Sequence, residues 1–202
     1  MQIAQILDKI VENDHLHSKW LNTLSFMENA GARKISAAEH KEEVTLLILK
    51  HAAEEHRHAY YLKKQLSKFE DNPCKTYTNA ELLTPDYTKF YLNILDVQVC
   101  RYLKKHFDLT GADLKFAAYL FVTYAIEVRA DELYPVYQEI LSAKGSKITV
   151  KSIILEEEGH LEEMLHQLRE FSPDWEIHAE AIVKLEQALF EKWMVGLRLE
   201  IS

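Results

Sequence analysis

The chain has 202 residues, of which 48% are hydrophobic, and only five are glycine and four proline. This length and composition suffice for one domain with a sizeable apolar core and argue against disorder. The formal net charge of −8 disfavours nucleic acid and anionic membranes as partners, because the field of the protein repels phosphate.

Apolar residues recur every three or four positions along the chain, which predicts an all-α fold. Thr84-Pro85 and Ser172-Pro173 each resemble an N-cap followed by the first residue of a helix, and Thr110 with Asp113 resembles a capping box. A long stretch over residues 69–83 is expected to lack helix. The predicted helices cover residues 2–12, 14–38, 43–68, 85–106, 110–142, 149–171 and 173–198.

The third predicted helix carries polar residues within its apolar stripe. The segment HAAEEHRHAYYLKK, residues 51–64, contains Glu55 and His58 one turn apart on the row that also holds Ile48 and Leu62. Both side chains are therefore expected to point inward. Their neighbours Glu54, His56 and Arg57 lie off this row and are expected to face solvent.

The sixth predicted helix repeats the same pattern 102 positions later, where Glu157 and His160 lie on the apolar row of Ile153, Met164 and Leu168. The two other Glu-x-x-His pairs of the chain lie on polar rows and are expected to be exposed: Glu12/His15 and Glu163/His166. Burying an ionised carboxylate without a counter-charge costs several kcal/mol. Two inward Glu-His pairs therefore indicate a site for two divalent cations, which two further inward carboxylates would neutralise.

The third carboxylate is expected on the helix that precedes Glu55. In an antiparallel pair, residues at one height are equally distant from the connecting turn, which leaves Glu28 and Glu12 as candidates. Glu28 lies on an apolar row and Glu12 on a polar one. We therefore favour Glu28, and Gly31 one turn later is expected to allow close helix approach.

The fourth carboxylate is expected on the helix that precedes Glu157. Glu132 is slightly closer than Glu127 to the position opposite Glu157 in an antiparallel helix pair. Glu127, however, lies on the apolar row that runs through Thr123, Ala130 and Tyr134. We prefer Glu127 and keep Glu132 as the alternative.

This arrangement resembles the ferritin-like di-iron carboxylate superfamily, in which two helices each carry one Glu and two others each carry Glu-x-x-His. The resemblance covers about residues 14–171. It implies a single ferritin-like helical domain over residues 1–202, a four-helix bundle with additional N-terminal, crossover and C-terminal helices. It also implies six metal ligands. Glu55 and Glu157 would bridge the two metal ions, and four residues would each bind one ion: Glu28, Glu127, His58 and His160.

The resemblance implies two iron ions, although manganese or a mixed pair would use the same ligands. The expected activity is oxidation of an unidentified small molecule by O2, with an unidentified electron donor, and a homodimer is compatible with the pattern. A ferroxidase or metal-handling protein without an organic substrate is the alternative, followed by a metal-free helical interaction module. His51, one turn before Glu55, is expected to pack beside the ligands and not to bind metal.

The sequence also favours a cytoplasmic location. Cys74 and Cys100 lack Cys-x-x-Cys spacing and the density of a disulfide framework, which suits a reducing compartment. The first residues carry acidic side chains in place of a basic and apolar leader, and no apolar run approaches the length of a membrane span.

Overall fold

The computed structural model describes residues 3–71 and 74–202, and within these ranges the chain is helical and has no strand. The all-α prediction is therefore confirmed for the described residues, while residues 2, 72 and 73 of the predicted elements lie outside them. None of the described helices has an apolar run of the length that a membrane crossing requires. The helices are α1 (Ile3–Val11), α2 (Asp14–Ala38), α3 (Leu46–Gln65), α4 (Pro85–Phe107), α5 (Gly111–Ala143), α6 (Lys151–Phe171) and α7 (Trp175–Glu200).

Helices α3, α6 and α7 begin two or three residues later than predicted, and before α3 and α7 the preceding residues form turns of their own. Before α3, His40 Nδ1 accepts hydrogen bonds from the backbone amides of Glu42 and Glu43 at 3.3 and 3.1 Å, so this polar run stays out of the helix. Before α7, the carbonyl of Ser172 accepts from the Trp175 amide at 3.2 Å, and the helix begins at Trp175. The predicted capping box of α5 does not form, since the Thr110 side chain makes no cap hydrogen bond.

Helices α2 and α3 pack side by side in opposite directions, and so do α5 and α6. Ser25 of α2 donates to the carbonyl of Ala59 of α3 at 2.7 Å. Gln138 of α5 accepts from the amide of Val150, at the start of α6, at 2.7 Å. These bonds fix the height of each helix relative to its partner, and this height decides which side chains meet at mid-helix.

Helices α4 and α7 pack against each other and against α5. The indole of Trp193 on α7 stacks between Tyr91 of α4 and Trp20 of α2, with ring centroids 6.0 and 5.5 Å away. Side chains at the start of α4 pack directly on the backbone of α7 at Gly196, where a Cβ atom would collide with the Thr84 hydroxyl and lie 2.6 Å from the ring of Tyr87. Glycine is therefore required at Gly196.

A buried ion pair joins α5 to α7. The Glu186 carboxylate, 1% exposed, accepts two hydrogen bonds from the Arg129 guanidinium at 3.0 and 2.7 Å and one from the Tyr91 hydroxyl at 2.7 Å. The guanidinium also lies 3.9 Å from the centroid of the Phe190 ring. Every charge in this contact is paired, as burial requires.

Candidate metal centre

Four helices bring the six predicted metal-site residues together in what we call the Glu/His cluster: Glu28 of α2, Glu55 and His58 of α3, Glu127 of α5, and Glu157 and His160 of α6. Their ligand atoms form two groups of four, and within each group the atoms lie within 4.8 Å of one another. One group is Glu28, Glu55, His58 and Glu157, and the other is Glu55, Glu127, Glu157 and His160. Glu55 and Glu157 belong to both groups.

The imidazole of His58 turns its Nδ1 toward the cluster. This atom is buried and has no hydrogen-bond partner within the described residues. Glu157 Oε1 lies 3.1 Å away, outside hydrogen-bond geometry, and Glu55 Oε2 lies 3.9 Å away. On the opposite side of the ring, His58 Nε2 lies 2.8 Å from Glu156 Oε2. A carboxylate that accepts from Nε2 leaves the Nδ1 lone pair free to bind an ion.

His160 has the same orientation from the other half of the chain. Its Nδ1 lies 3.1 Å from Glu157, 3.6 Å from Glu127 and 3.7 Å from Glu55. Its Nε2 lies 2.8 Å from Glu54 Oε2. Both histidines therefore direct the same nitrogen at the cluster and bind an outer carboxylate with the other.

The outer carboxylates correct the sequence prediction. Glu54 and Glu163 are predicted to face solvent, and the sequence places Glu156 on the same polar row as Glu163. In the structure each of these three contacts a buried histidine across the α3–α6 interface. The side chain of Glu54 is 20% exposed, that of Glu156 33% and that of Glu163 35%. A sequence signal existed for two of them: both motifs read Glu-Glu-x-x-His, so Glu54 and Glu156 occupy equivalent positions.

His51 lies beside the cluster and does not join it. Its Nδ1 lies 2.8 Å from the Tyr119 hydroxyl and its Nε2 lies 2.8 Å from Glu163 Oε2. Its ring centroid is 4.9 Å from that of His160. Both nitrogens of His51 have partners outside the Glu/His cluster, so neither is directed at the four carboxylates of the cluster. His51 therefore supports the packing of His160.

The rejected alternatives lie at the surface. Glu132 is 61% exposed and pairs with Arg129, so the structure brings Glu127 and not Glu132 to the cluster. Glu12 is 60% exposed and pairs with Lys144. His166 is 68% exposed, as expected for the Glu163/His166 pair, although Glu163 itself reaches inward.

The four carboxylates of the Glu/His cluster cannot all be ionised without added positive charge. Burial, and then the charges of Glu28 and Glu157, raise the pKa of Glu55 well above its usual range. Burial and the adjacent Glu157 do the same to the pKa of Glu127. Burial opposes protonation of His160, but the contacts with Glu157, Glu54 and Glu55 together outweigh burial and raise its pKa to about 9. The cluster therefore attracts cations.

Tyr134 adds a hydrogen bond to the remaining carboxylate. Its hydroxyl donates to Glu28 Oε1. Burial and the charge of Glu28 raise the pKa of Tyr134 well above the usual value, so the hydroxyl keeps its proton and remains a donor. This contact holds Glu28, whose side chain is only partly buried, in place against the cluster.

Six donor atoms in two adjacent sets can hold two divalent cations with carboxylate oxygen and imidazole nitrogen ligands. Four carboxylates balance the charge of two such cations, and the unpartnered Nδ1 of His58 provides a nitrogen ligand already directed at one of them. The residues present therefore fit a dinuclear site. Comparison with protein-family models, with curated proteins and with solved structures finds no match for this chain.

Proposed function

We propose that the Glu/His cluster binds two transition-metal ions, iron in the first instance, and that the protein is a di-iron oxidoreductase that uses O2 to oxidise a small molecule. The observation that carries this proposal is the sharing of Glu55 and Glu157 by two donor sets, each completed by one further glutamate and one histidine. A lone buried ion pair would not need this symmetry.

The helix arrangement supports a ferritin-like four-helix bundle as the frame of the site. Helices α2 and α3 form one antiparallel pair, and α5 and α6 form another. The pairs meet where His58 contacts Glu156 and where Glu28 contacts Tyr134. In this frame the metal ligands project from the middle of four helices, which is how the ferritin-like carboxylate proteins hold two ions.

The ligand chemistry favours iron or manganese over the other common cations. Calcium and magnesium take oxygen ligands almost exclusively, which leaves the two imidazoles unexplained. Structural zinc sites are tetrahedral and rich in thiolate, whereas both cysteines of this chain lie outside the cluster. A set of four carboxylates and two imidazoles suits iron and manganese.

When bound, two ferrous ions would supply electrons for the reduction of O2. The protein residues hold and orient the ligands around them. Glu55 and Glu157 would be shared by the two ions, while Glu54 and Glu156 contact the outer nitrogens of His160 and His58 and thereby fix the tautomers of both rings. The Tyr134 hydroxyl holds a proton at Glu28 Oε1. Apolar neighbours in the core limit the access of water, which strengthens electrostatic interactions inside the site.

Metal analysis tests the proposal directly. The wild-type protein, purified without chelator, is expected to carry about two equivalents of iron or manganese per chain, the number that its two donor sets hold. The double variant Glu55→Ala/Glu157→Ala should carry none, since it loses both shared ligands. Glu158→Ala is the matched control, because Glu158 neighbours Glu157 on the exposed side of α6.

The chemistry is tested by anaerobic loading with Fe(II) followed by O2. We expect a visible absorption change that saturates at two irons per chain and is absent from the double variant. Continued oxidation of many irons per chain in a large hollow oligomer would support a ferroxidase instead. Folding that is unchanged by exhaustive chelation, together with no metal uptake, would leave only a helical interaction module.

A further inference from the structure

A cavity of about 410 Å³ lies between α2, α4 and α5 and adjoins the Glu/His cluster. Glu28, Glu55 and Glu127 form part of its wall, so whatever occupies it lies against the proposed metal ions. Most other lining side chains are apolar, among them Met27, Leu95 and Ile126. We call it the α2–α5 cavity.

The α2–α5 cavity is elongated along α2. Along α2 its lining extends from Leu24 to Ala38, which corresponds to ~21 Å at the helical rise per residue. At the Leu24 end the lining residues Tyr91 and Leu133 are buried, whereas Ala37 at the other end is exposed. The cavity is therefore closed at one end and open at the other.

The Glu/His cluster lies nearer the closed end. Glu28 is four residues from Leu24 and ten from Ala38, which places it ~6 Å and ~15 Å from the two ends along the helix. The open end carries Lys34, which is ion-paired with Asp96, and Lys115, which is exposed. Because Asp96 neutralises Lys34, the charge of Lys115 leaves this part of the lining with a net positive charge.

Gly31 creates part of this space. It lies one turn from Glu28 and lines the cavity, and a Cβ atom placed on it would meet no heavy atom within 4 Å. The predicted role of Gly31 in close helix approach is therefore wrong, because no neighbouring helix fills its position. A large side chain at this position would occupy the cavity beside the metal centre.

We propose that the α2–α5 cavity binds a straight-chain fatty acid, whose carboxylate lies at the lysines of the open end and whose alkyl chain passes Gly31 to reach the Glu/His cluster. The apolar wall and the elongated shape match an unbranched chain, and the charge of the opening matches an anionic head. The inference rests on the proposed function, for which it names the substrate class. It places the distal part of the chain at the metal ions.

Binding of dodecanoate, measured by calorimetry on the metal-loaded protein, tests the cavity. Gly31→Leu is expected to weaken binding at least tenfold while leaving two metal ions per chain. Gly159→Leu is the matched control, since Gly159 is exposed on α6 and its added side chain would also meet no atom within 4 Å. Lys115→Glu should weaken dodecanoate binding up to about fivefold and leave 1-dodecanol binding unchanged.

The orientation has its own measurement. In protein loaded with paramagnetic Mn(II), the methyl carbon of bound ¹³C-labelled dodecanoate should relax faster than its carboxyl carbon, because the centre lies near the closed end. The opposite order would overturn the orientation. Full metal loading without dodecanoate binding, or equal binding by Gly31→Leu, overturns the substrate class and leaves the metal proposal standing. Dodecanoate binding without any metal uptake overturns the proposed function.

Discussion

Substitution of Glu157 by Gln should abolish most of the metal-dependent stabilisation of this protein, because Glu157 belongs to both donor sets. An ion at a concentration 100 times its dissociation constant stabilises the folded state by ~2.7 kcal/mol. In a chain of this length, 1 kcal/mol corresponds to ~2–4 °C in melting temperature. Two ions should therefore raise the wild-type melting temperature by ~11–22 °C.

The substitution His58→Ala removes a ligand from one donor set only, so about half of the increase should remain. Glu158→Gln changes an exposed neighbour of Glu157 and should retain all of it. The assay is differential scanning calorimetry of each protein with Mn(II) and with chelator, so that each variant serves as its own reference. An equal increase in Glu157→Gln and in the wild type would refute the assignment of Glu157 as a shared ligand.

Three further predictions concern the fold. Burial lowers the pKa of His17 from 6.5 to about 4, so the unfolded chain binds a proton first as pH falls through this range. Between pH 7 and 4.5 the wild type should therefore lose ~2–3 kcal/mol more unfolding free energy than His17→Gln, as measured by urea unfolding; an equal loss in the two proteins would contradict the burial of a neutral His17. Glu186→Ala leaves the Arg129 guanidinium with only the exposed Glu132 as a carboxylate partner and removes the acceptor of the buried Tyr91 hydroxyl. It should cost ~3–5 kcal/mol in the same assay at pH 7; a loss below ~1 kcal/mol would contradict the buried pair. Gly196→Ala should cost ~1–3 kcal/mol through overpacking, while Gly31→Ala should be neutral or stabilising by up to ~1 kcal/mol; the reverse order would show that the α4–α7 contact is misjudged.

Helix faces were predictable from the sequence where the apolar stripe was continuous. Glu55 and Glu157 interrupt such stripes at mid-helix, and burial of both follows from the period of the helix. Glu28 was found in the same way, with its height fixed by the antiparallel α2–α3 pair. The apolar row favoured Glu127, but the height in the helix pair could not exclude Glu132, because a one-residue shift of the turn midpoint moves the residue opposite Glu157 by two positions, ~3 Å.

The sequence was least informative about contacts between helices that are distant in the chain. Glu54 lies on the flank of its stripe, and its burial depends on how closely α6 approaches. The α2–α5 cavity could not be predicted either, since the position of α4 relative to α2 is set by contacts such as the stacking of Tyr91 on Trp193. The lack of a side chain at Gly31 could either bring two helices together or leave a space between them, and the sequence does not distinguish these two outcomes.

The outer carboxylates cross between the two halves of the chain. Glu156 of α6 fixes His58 of α3, and Glu54 of α3 fixes His160 of α6. During synthesis, α3 is complete well before α6 leaves the ribosome, so in the nascent chain His58 has no partner for its Nε2 and its ring rotates freely. A finished coordination environment arises only when the halves dock. If the Glu/His cluster binds metal as we propose, the reciprocal contacts couple capture of the ions to completion of the fold.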